Sequence, residues 1–350
     1  VSEEKVLNLK EAVSKYISNG DMLCIANFLH AIPFAAIHEI IRQKIMHLTV
    51  VTCSAIEEVD LLLSGGCVDK IMTSYYHRAG GIHYKRELDR ALINKKIELE
   101  DYTNFTLISM LMAGALGYGF LPVMNSVKES DVYRIRTFMG ENKLKTIKSP
   151  FTGTDVVVVP ALNPDIAIVH VQRADRFGNC QYWGSLGATK WSALSAKKII
   201  VTCEEIVDHE KILRSPFLTL IPGFRVSAVC EVPMAAHPSP VAGYYDADIV
   251  FRSLYFASTF SVVANVRFMK NWIYDRKDRQ DYLAYYIQRF TKEPLDRLKV
   301  NQFQSDAVNL GYKQKYWGFN ERIGKEFLHK FALTREEYQK KLKEFGELQL

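Results

Sequence analysis

Apolar positions along the chain recur with two periods. Leu7, Leu9, Ala12, Val13, Tyr16 and Ile17 fall at helical spacing, which predicts a helix over residues 7–18 with Asn19-Gly20 as its stop. Residues 21–28 (DMLCIANF) predict a strand entering a loop, and Pro33 precedes a second amphipathic helix over 34–43. Short β-branched runs at 47–54, 70–74, 96–100, 120–123, 155–160, 164–171 and 198–203 read as strands. Helical spacing recurs at 87–94, 103–116, 189–197, 279–290 and 335–345. This alternation predicts an α/β fold with a mostly parallel sheet flanked by helices. The run at 164–171, bounded closely by Asn163 and Pro164, is expected to be a central strand buried on both faces. Residues 125–150 are polar and charged and read as an insertion or lid, and after residue 250 aromatic, charged helices dominate. The expected division is a main domain over 1–250 and a helical C-terminal extension over 251–350.

Candidate chemistry collects at the ends of these strands, where open α/β sheets hold ligands. After the central run come His170, Gln172, Arg173, Asp175, Arg176, Gly178, Asn179 and Gln181, with Gly178-Asn179 as the tight turn into a strand over 180–183. Two readings stand here, a ligand mouth and a charged hairpin without a ligand. Asn27 and Phe28 end the first strand before a helix N-terminus that could receive an anion. Cys53 and Ser54 end the next, followed by Glu57, Glu58 and Asp60. A nucleophile beside acids is one reading; a buried thiol followed by a solvated helix is the other. Tyr75, Tyr76, His77 and Arg78 before Gly80-Gly81 could line an anionic acyl pocket or form a surface loop. His77 and His83 have no partner at ligand spacing, so no metal is expected. Glu204 and Glu205 follow a strand and could hold Arg173 or Arg176 as an orienting ion pair. His237 stands before the rigid turn Pro238-Ser239-Pro240, and Lys143, Lys145 and Lys148 could meet phosphates or form a solvated face. Gly114, Gly117 and Gly119 run from helix to strand, the wrong order for a dinucleotide loop.

Composition narrows the class. The chain has 350 residues, 48% of them hydrophobic, enough for a sizeable core. Its net charge of +6 suits an anionic small molecule but falls short of a nucleic-acid binder. Six scattered cysteines form no close pair and are expected reduced and buried, in a cytoplasmic protein. Neither an apolar run of signal length nor a membrane span is found, so no membrane partner is expected.

The segment HVQRADRFGNCQYWG, with LKEAVSKYISNGD, YGFLPV, VTCEEI and AAHPSPVAGYYDAD in the same order, resembles the A subunit of family I coenzyme A transferases over roughly residues 7–250. The likeness is to the glutaconate CoA-transferase type. It implies a heteromeric enzyme, an A2B2 assembly with a separate B subunit, that uses an acyl-CoA and a carboxylic acid. Coenzyme A is then substrate and product, and no cofactor is held permanently. The nucleophilic glutamate comes from the B subunit in an ENG-type motif; here Glu141-Asn142 is followed by Lys143, so no catalytic residue is expected in this chain. The resemblance places Asn27, Phe28, Ser54, Tyr76, His77, Gln172 and Arg173 against substrate, with Glu204, Glu205 and His237 as orienting groups. Where the family usually reads Gly-Gly-Phe, this chain has Ala26-Asn27-Phe28, which adds a Cβ where backbone would approach a thioester oxygen. The same fold also serves acyl-CoA hydrolases that cleave a carbon–carbon bond and decarboxylases, and a non-catalytic acyl-CoA-binding subunit is the remaining alternative.

Overall fold

The computed structural model describes residues 3–27, 30–76 and 87–300. The candidates Phe28 and His77, and the helix expected over 335–345, lie outside the described residues.

The strands are β1 (Met22–Ile25), β2 (Leu48–Thr52), β3 (Val68–Thr73), β4 (Glu98–Asp101), β5 (Phe120–Val123), β6 (Lys145–Lys148), β7 (Asp155–Pro160), β8 (Ile166–Ala174), β9 (Cys180–Gln181), β10 (Lys198–Ile206), β11 (Thr219–Ile221) and β12 (Ala228–Glu231). Seven of them pair in parallel in the order β12-β10-β8-β1-β2-β3-β4, and the short antiparallel pair β9-β11 continues beside the end of β8. The expected α/β fold is borne out, and β8 is buried along almost its whole length. A strand flanked by neighbours on both edges and helices on both faces leaves no side for water, so it reads as a continuous apolar run. Helices Phe34–Arg42, Glu57–Ser64 and Glu87–Ile93 carry the chain outward from β1 to β4. The chain then returns to pair β8 beside β1 and proceeds the other way through β10 to β12. Strand order therefore reverses between β1 and β8, and the crevice of the sheet opens there.

Two cores flank the sheet. On one face helix Asn104–Leu116, started by a Thr103/Thr106 capping box, packs between the main sheet and the antiparallel sheet β5-β7-β6. On the other face, Phe251, Phe268, Trp272, Tyr282 and Tyr286 of the helices Ile249–Ser258 through Arg279–Phe290 join the apolar cluster that contains Ile37, Val59 and Ile168. Phe251 meets Trp272 edge-on at 4.6 Å between ring centres, a geometry that favours aromatic pairs beyond their burial.

This cover changes two expectations. Glu57, Glu58 and Asp60 do not open a solvated helix: all three are buried, and Arg252 reaches Glu57 at 2.6 Å. The packed C-terminal helices remove water from the first turn of Glu57–Ser64 and supply a cation in its place. Lys143 does not face solvent or a phosphate either. It is buried against Glu100 at 2.8 Å and donates to the Ile135 carbonyl, while Glu100 also accepts from the Thr137 and Met139 amides. Residues 125–150 are thereby tied to the end of β4 and carry β6 and a helical turn, Asp131–Arg134.

Gly114 marks the closest approach of a helix to the neighbouring loop: a Cβ there would lie 2.1 Å from the Leu162 carbonyl oxygen. Gly114→Ala should cost about 1–3 kcal/mol despite the better helix propensity of alanine, because backbone must shift. Urea denaturation of the two proteins measures this, and a variant as stable as the parent would refute it.

Candidate active site

The crevice is lined by side chains that the ends of β1, β8 and β10 bring together. Beyond the last β1–β8 ladder partners, Ile25 and Ile168, the Asn27 carboxamide takes over the pairing. Its Oδ1 accepts from the His170 N–H at 2.8 Å and its Nδ2 donates to the His170 carbonyl at 3.2 Å. The two strands can diverge without leaving buried backbone groups unpaired, and one N–H of the Asn27 amide remains.

His170 and Gln172 share one face of β8. The buried His170 ring sits with Nδ1 3.0 Å from Thr202 Oγ1 and Nε2 2.9 Å from Glu204 Oε1. Glu204 also accepts from the Tyr245 hydroxyl at 2.7 Å and the Met234 N–H at 2.8 Å. Burial, reinforced by this carboxylate, pushes the Tyr245 phenol well above its ordinary value, so it stays a hydrogen-bond donor. Gln172 is fully buried; its Nε2 donates to the carbonyls of Trp183 (2.7 Å) and Ala242 (3.2 Å), and its Oε1 accepts from the Trp183 N–H (3.3 Å). It shapes the crevice through the backbone it holds.

Arg173 and Glu205 lie on the opposite face as ladder partners, yet the ion pair expected of them does not form. Arg173 Nε donates to Gln181 Oε1 at 2.7 Å and its guanidinium lies 5.2 Å over the Trp183 ring. Glu205 accepts instead from the Tyr244 hydroxyl at 2.6 Å, with Lys211 at 3.7 Å. Nor does Arg176 approach Glu204 or Glu205 among the described contacts; the Tyr244 phenol, from the turn after β12, takes Glu205 instead. Ser54, two residues beyond β2, is a buried hydroxyl without a hydrogen-bond partner, and Tyr76, beyond β3, is 44% exposed.

His237 is fully buried away from the solvent mouth. Its Nδ1 lies 2.9 Å from the Tyr282 hydroxyl and its Nε2 3.0 Å from Asp248, which also accepts from Tyr286. Burial holds the imidazole below its usual value, with Asp248 pulling the other way. Arg279 donates to the carbonyls of Met234 and His237, so this group is continuous with Glu204 through Met234. Beside it, between the helices and lined by His38, Glu57, Arg252 and Tyr282, is a cavity of about 20 Å³, room for a water rather than an acyl chain.

Nucleophilic chemistry is poorly served here. Burial pushes the Cys53 thiol up to about 12, which keeps it protonated and unreactive at neutral pH, and no base adjoins Ser54 among the described residues. None of the described His, Cys, Asp and Glu side chains cluster as a metal site. The arrangement can present fixed donors, a guanidinium and apolar walls to a ligand whose reacting partner comes from elsewhere.

Several of these groups escape pattern reading. His30, Asp248, Tyr282 and Arg279 meet the others only through the fold, whereas the dense polar run His237, Tyr244, Tyr245, Asp246 and Asp248 is a signal that the sequence does carry. His30 is the clearest case. The Ala242 N–H donates to its Nε2 at 2.8 Å, which fixes the proton on Nδ1; that proton faces the Tyr182 oxygen at 2.9 Å, and Tyr182 in turn donates to the Ser185 carbonyl. Burial, then the neighbouring His170, lower its pKa to about 4.

This carries a pH dependence of known sign. The unfolded imidazole takes up a proton near its ordinary value and the folded one only near 4. Stability contributed by the neutral ring is therefore complete above pH 6.5 and is lost as pH falls through 4, by about 3 kcal/mol in full. In His30→Asn the slope of unfolding free energy against pH in that window should become shallower by about one proton, as read by denaturant titrations at stepped pH.

The comparisons with known proteins agree with this geometry. Residues 6–232 match the family described as coenzyme A transferase. The chain is 37% identical over 249 residues to the A subunit of 3-oxoadipate CoA-transferase of Pseudomonas knackmussii, covering 70% of this chain and 84% of that one. It is 36% identical over 290 residues to the A subunit of glutaconate CoA-transferase of Acidaminococcus fermentans, covering 80% and 91%. The crystal structure of that glutaconate coenzyme A-transferase superposes with a TM-score of 0.77 at 34% identity, covering 86% of this chain and 97% of the other. The decarboxylase AibA/AibB superposes with a TM-score of 0.66 at 25% identity, covering 77% and 98%. With a family match across more than half of its length and two relatives above 30% identity, this chain belongs to the coenzyme A transferase family.

Proposed function

We propose that the chain is the A subunit of a heteromeric acyl-CoA:carboxylate CoA-transferase, catalytic only together with a B subunit that supplies the nucleophilic glutamate. The observation that carries this reading is the family match over 6–232, which spans every strand of the parallel sheet, combined with a crevice rich in fixed polar groups and poor in activated nucleophiles. Relatives that are themselves one subunit of a CoA-transferase support a second subunit here, and an A2B2 assembly is the stoichiometry proposed. Six free, buried cysteines suit a reducing cytoplasm.

The chemistry divides one exchange into covalent half-reactions. The partner glutamate attacks the thioester carbonyl, giving an acyl-glutamyl anhydride and CoA thiolate. The thiolate attacks the glutamyl carbonyl, which releases the first carboxylic acid and leaves CoA on the glutamate as a thioester. The acceptor acid then runs the same two steps in reverse and departs as the new acyl-CoA. In this scheme Ser54, Tyr76 and Arg173 face the substrates, and Asn27 and Gln172 hold the crevice open. Glu204, Glu205 and His237 orient its walls. Coenzyme A enters and leaves as a substrate.

Co-expression with the B subunit, incubation with acyl-CoA and borohydride trapping tests the scheme by mass spectrometry. An adduct on a B-subunit glutamate, together with CoA exchange onto an added acid, is the expected result. Turnover without any adduct would replace it with the decarboxylase or hydrolase chemistry of the same fold, for which the likeness to AibA/AibB is the supporting observation.

A further inference from the structure

The loop that leaves β2 is pinned from two directions. Cys24 on β1 and Val51 on β2 are ladder partners, so three residues further along the two chains stand Asn27, at the crevice, and Ser54. On the sheet side, the Ala55 N–H donates to the Tyr75 carbonyl at 2.7 Å and Ser74 Oγ donates to the Cys53 carbonyl at 2.9 Å. On the helix side, Glu57 Oε1 accepts from Arg252 Nε at 2.7 Å and Nη2 at 2.6 Å. Glu57 is buried, and its second oxygen has no hydrogen-bond partner among the described residues. The compensation of that buried charge therefore rests on the guanidinium.

Arg252 belongs to helix Ile249–Ser258, which starts on a group already tied to the far side of the crevice. Asp248 caps it: Oδ1 accepts from the Phe251 N–H at 2.8 Å, while Oδ2 meets His237 Nε2 and the Tyr286 hydroxyl. Arg279 joins His237 to Met234, whose N–H donates to Glu204 on β10. Arg252 stands one turn beyond the cap, its N–H donating to the Asp248 carbonyl at 3.0 Å. Its place is thus inherited from the network that orders β8 and β10. One helix spans from the end of β10 to the end of β2, and the crevice between β8 and β1 lies in that interval.

We infer that Arg252 is a positioning residue: through Glu57 it sets where residues 53–58, with Ser54, stand at the crevice, so that a helix behind the site shapes its β2 side. This rests on the reading of the crevice as the acyl-CoA site. Two N–H groups converging on one oxygen fix direction as well as distance, which a rigid guanidinium does and a point charge does not. A cation that only cancelled a buried charge would need no such direction, and apolar side chains of similar size would replace the pair without loss.

Hydrogen–deuterium exchange of the full chain, read by mass spectrometry on the peptide spanning residues 52–58, tests this without turnover. Arg252→Met leaves Glu57 buried without its cation and should both lower the thermal midpoint and speed deuterium uptake there. The double variant Glu57→Met/Arg252→Met removes the charge together with the fork and should recover the midpoint. Its 52–58 peptide should still take up deuterium about tenfold or more faster than the parent's, with peptides from β10 and β12 unchanged. Arg252→Lys, which keeps the charge and loses the fork, should fall between. A double variant whose 52–58 peptide exchanges at the parent rate overturns the inference, and so does a rise shared by β10 and β12, which would mark general loosening. In the complex with the B subunit the double variant should lose about tenfold or more in kcat/KM for acyl-CoA, the cost of a displaced wall; parent kcat/KM beside a fast-exchanging loop overturns it too. A parent complex without CoA transfer removes the transferase reading, and the deuterium comparison alone then decides whether Arg252 positions the loop.

Discussion

A buried carboxylate holds this molecule together at its functional end. Glu204 sits on β10, between β8 and the edge strand β12, accepting from His170 on β8, from the Tyr245 hydroxyl and from the Met234 amide. Taking a carboxylate out of water costs several kcal/mol unless donors replace the lost solvent. Here the donors come from three separate stretches of chain, so the same atoms that satisfy the charge lock the stretches to each other. Through Met234 the bonding passes to Arg279 and His237, and from there to Asp248 and Tyr286. The sheet and the C-terminal helices are coupled by directional bonds as well as by their shared apolar core.

The crevice follows from a conflict that the fold resolves locally. Strands β1 and β8 must pair to build the sheet, yet they diverge beyond Ile25 and Ile168, where backbone partners would be lost. Asn27 settles this by offering a side-chain amide where a backbone amide would otherwise continue the ladder. The side chain makes a fixed wall where the backbone of β1 would otherwise lie open.

Much of the fold was legible in the sequence because β-branched runs and helical spacing are local signals. The run at 164–171, the turn at Gly178 and the helix Arg279–Phe290 all appear where their patterns place them. Burial of charge was not legible. Glu57 and Lys143 look like solvent-facing residues in their own segments, and become core only when Arg252 and Glu100, far away in the chain, arrive to pair with them. The site divides in the same way. The strand ends flagged Gln172, Arg173 and Glu204, whereas their partners were hidden: Arg173 finds Gln181 rather than an acid, and His30 acquires its fixed tautomer from the Ala242 amide.

All six cysteines are buried and unbridged, and burial raises the thiols of Cys24, Cys53, Cys67, Cys180, Cys203 and Cys230. They are spread over β1, the end of β2, the start of β3, β9, β10 and β12, and so sample nearly the full width of the parallel sheet. An alkylating reagent meets them only when their surroundings open. The rate at which each is labelled is then a set of local clocks for the sheet, each strand reporting its own excursions from the native state.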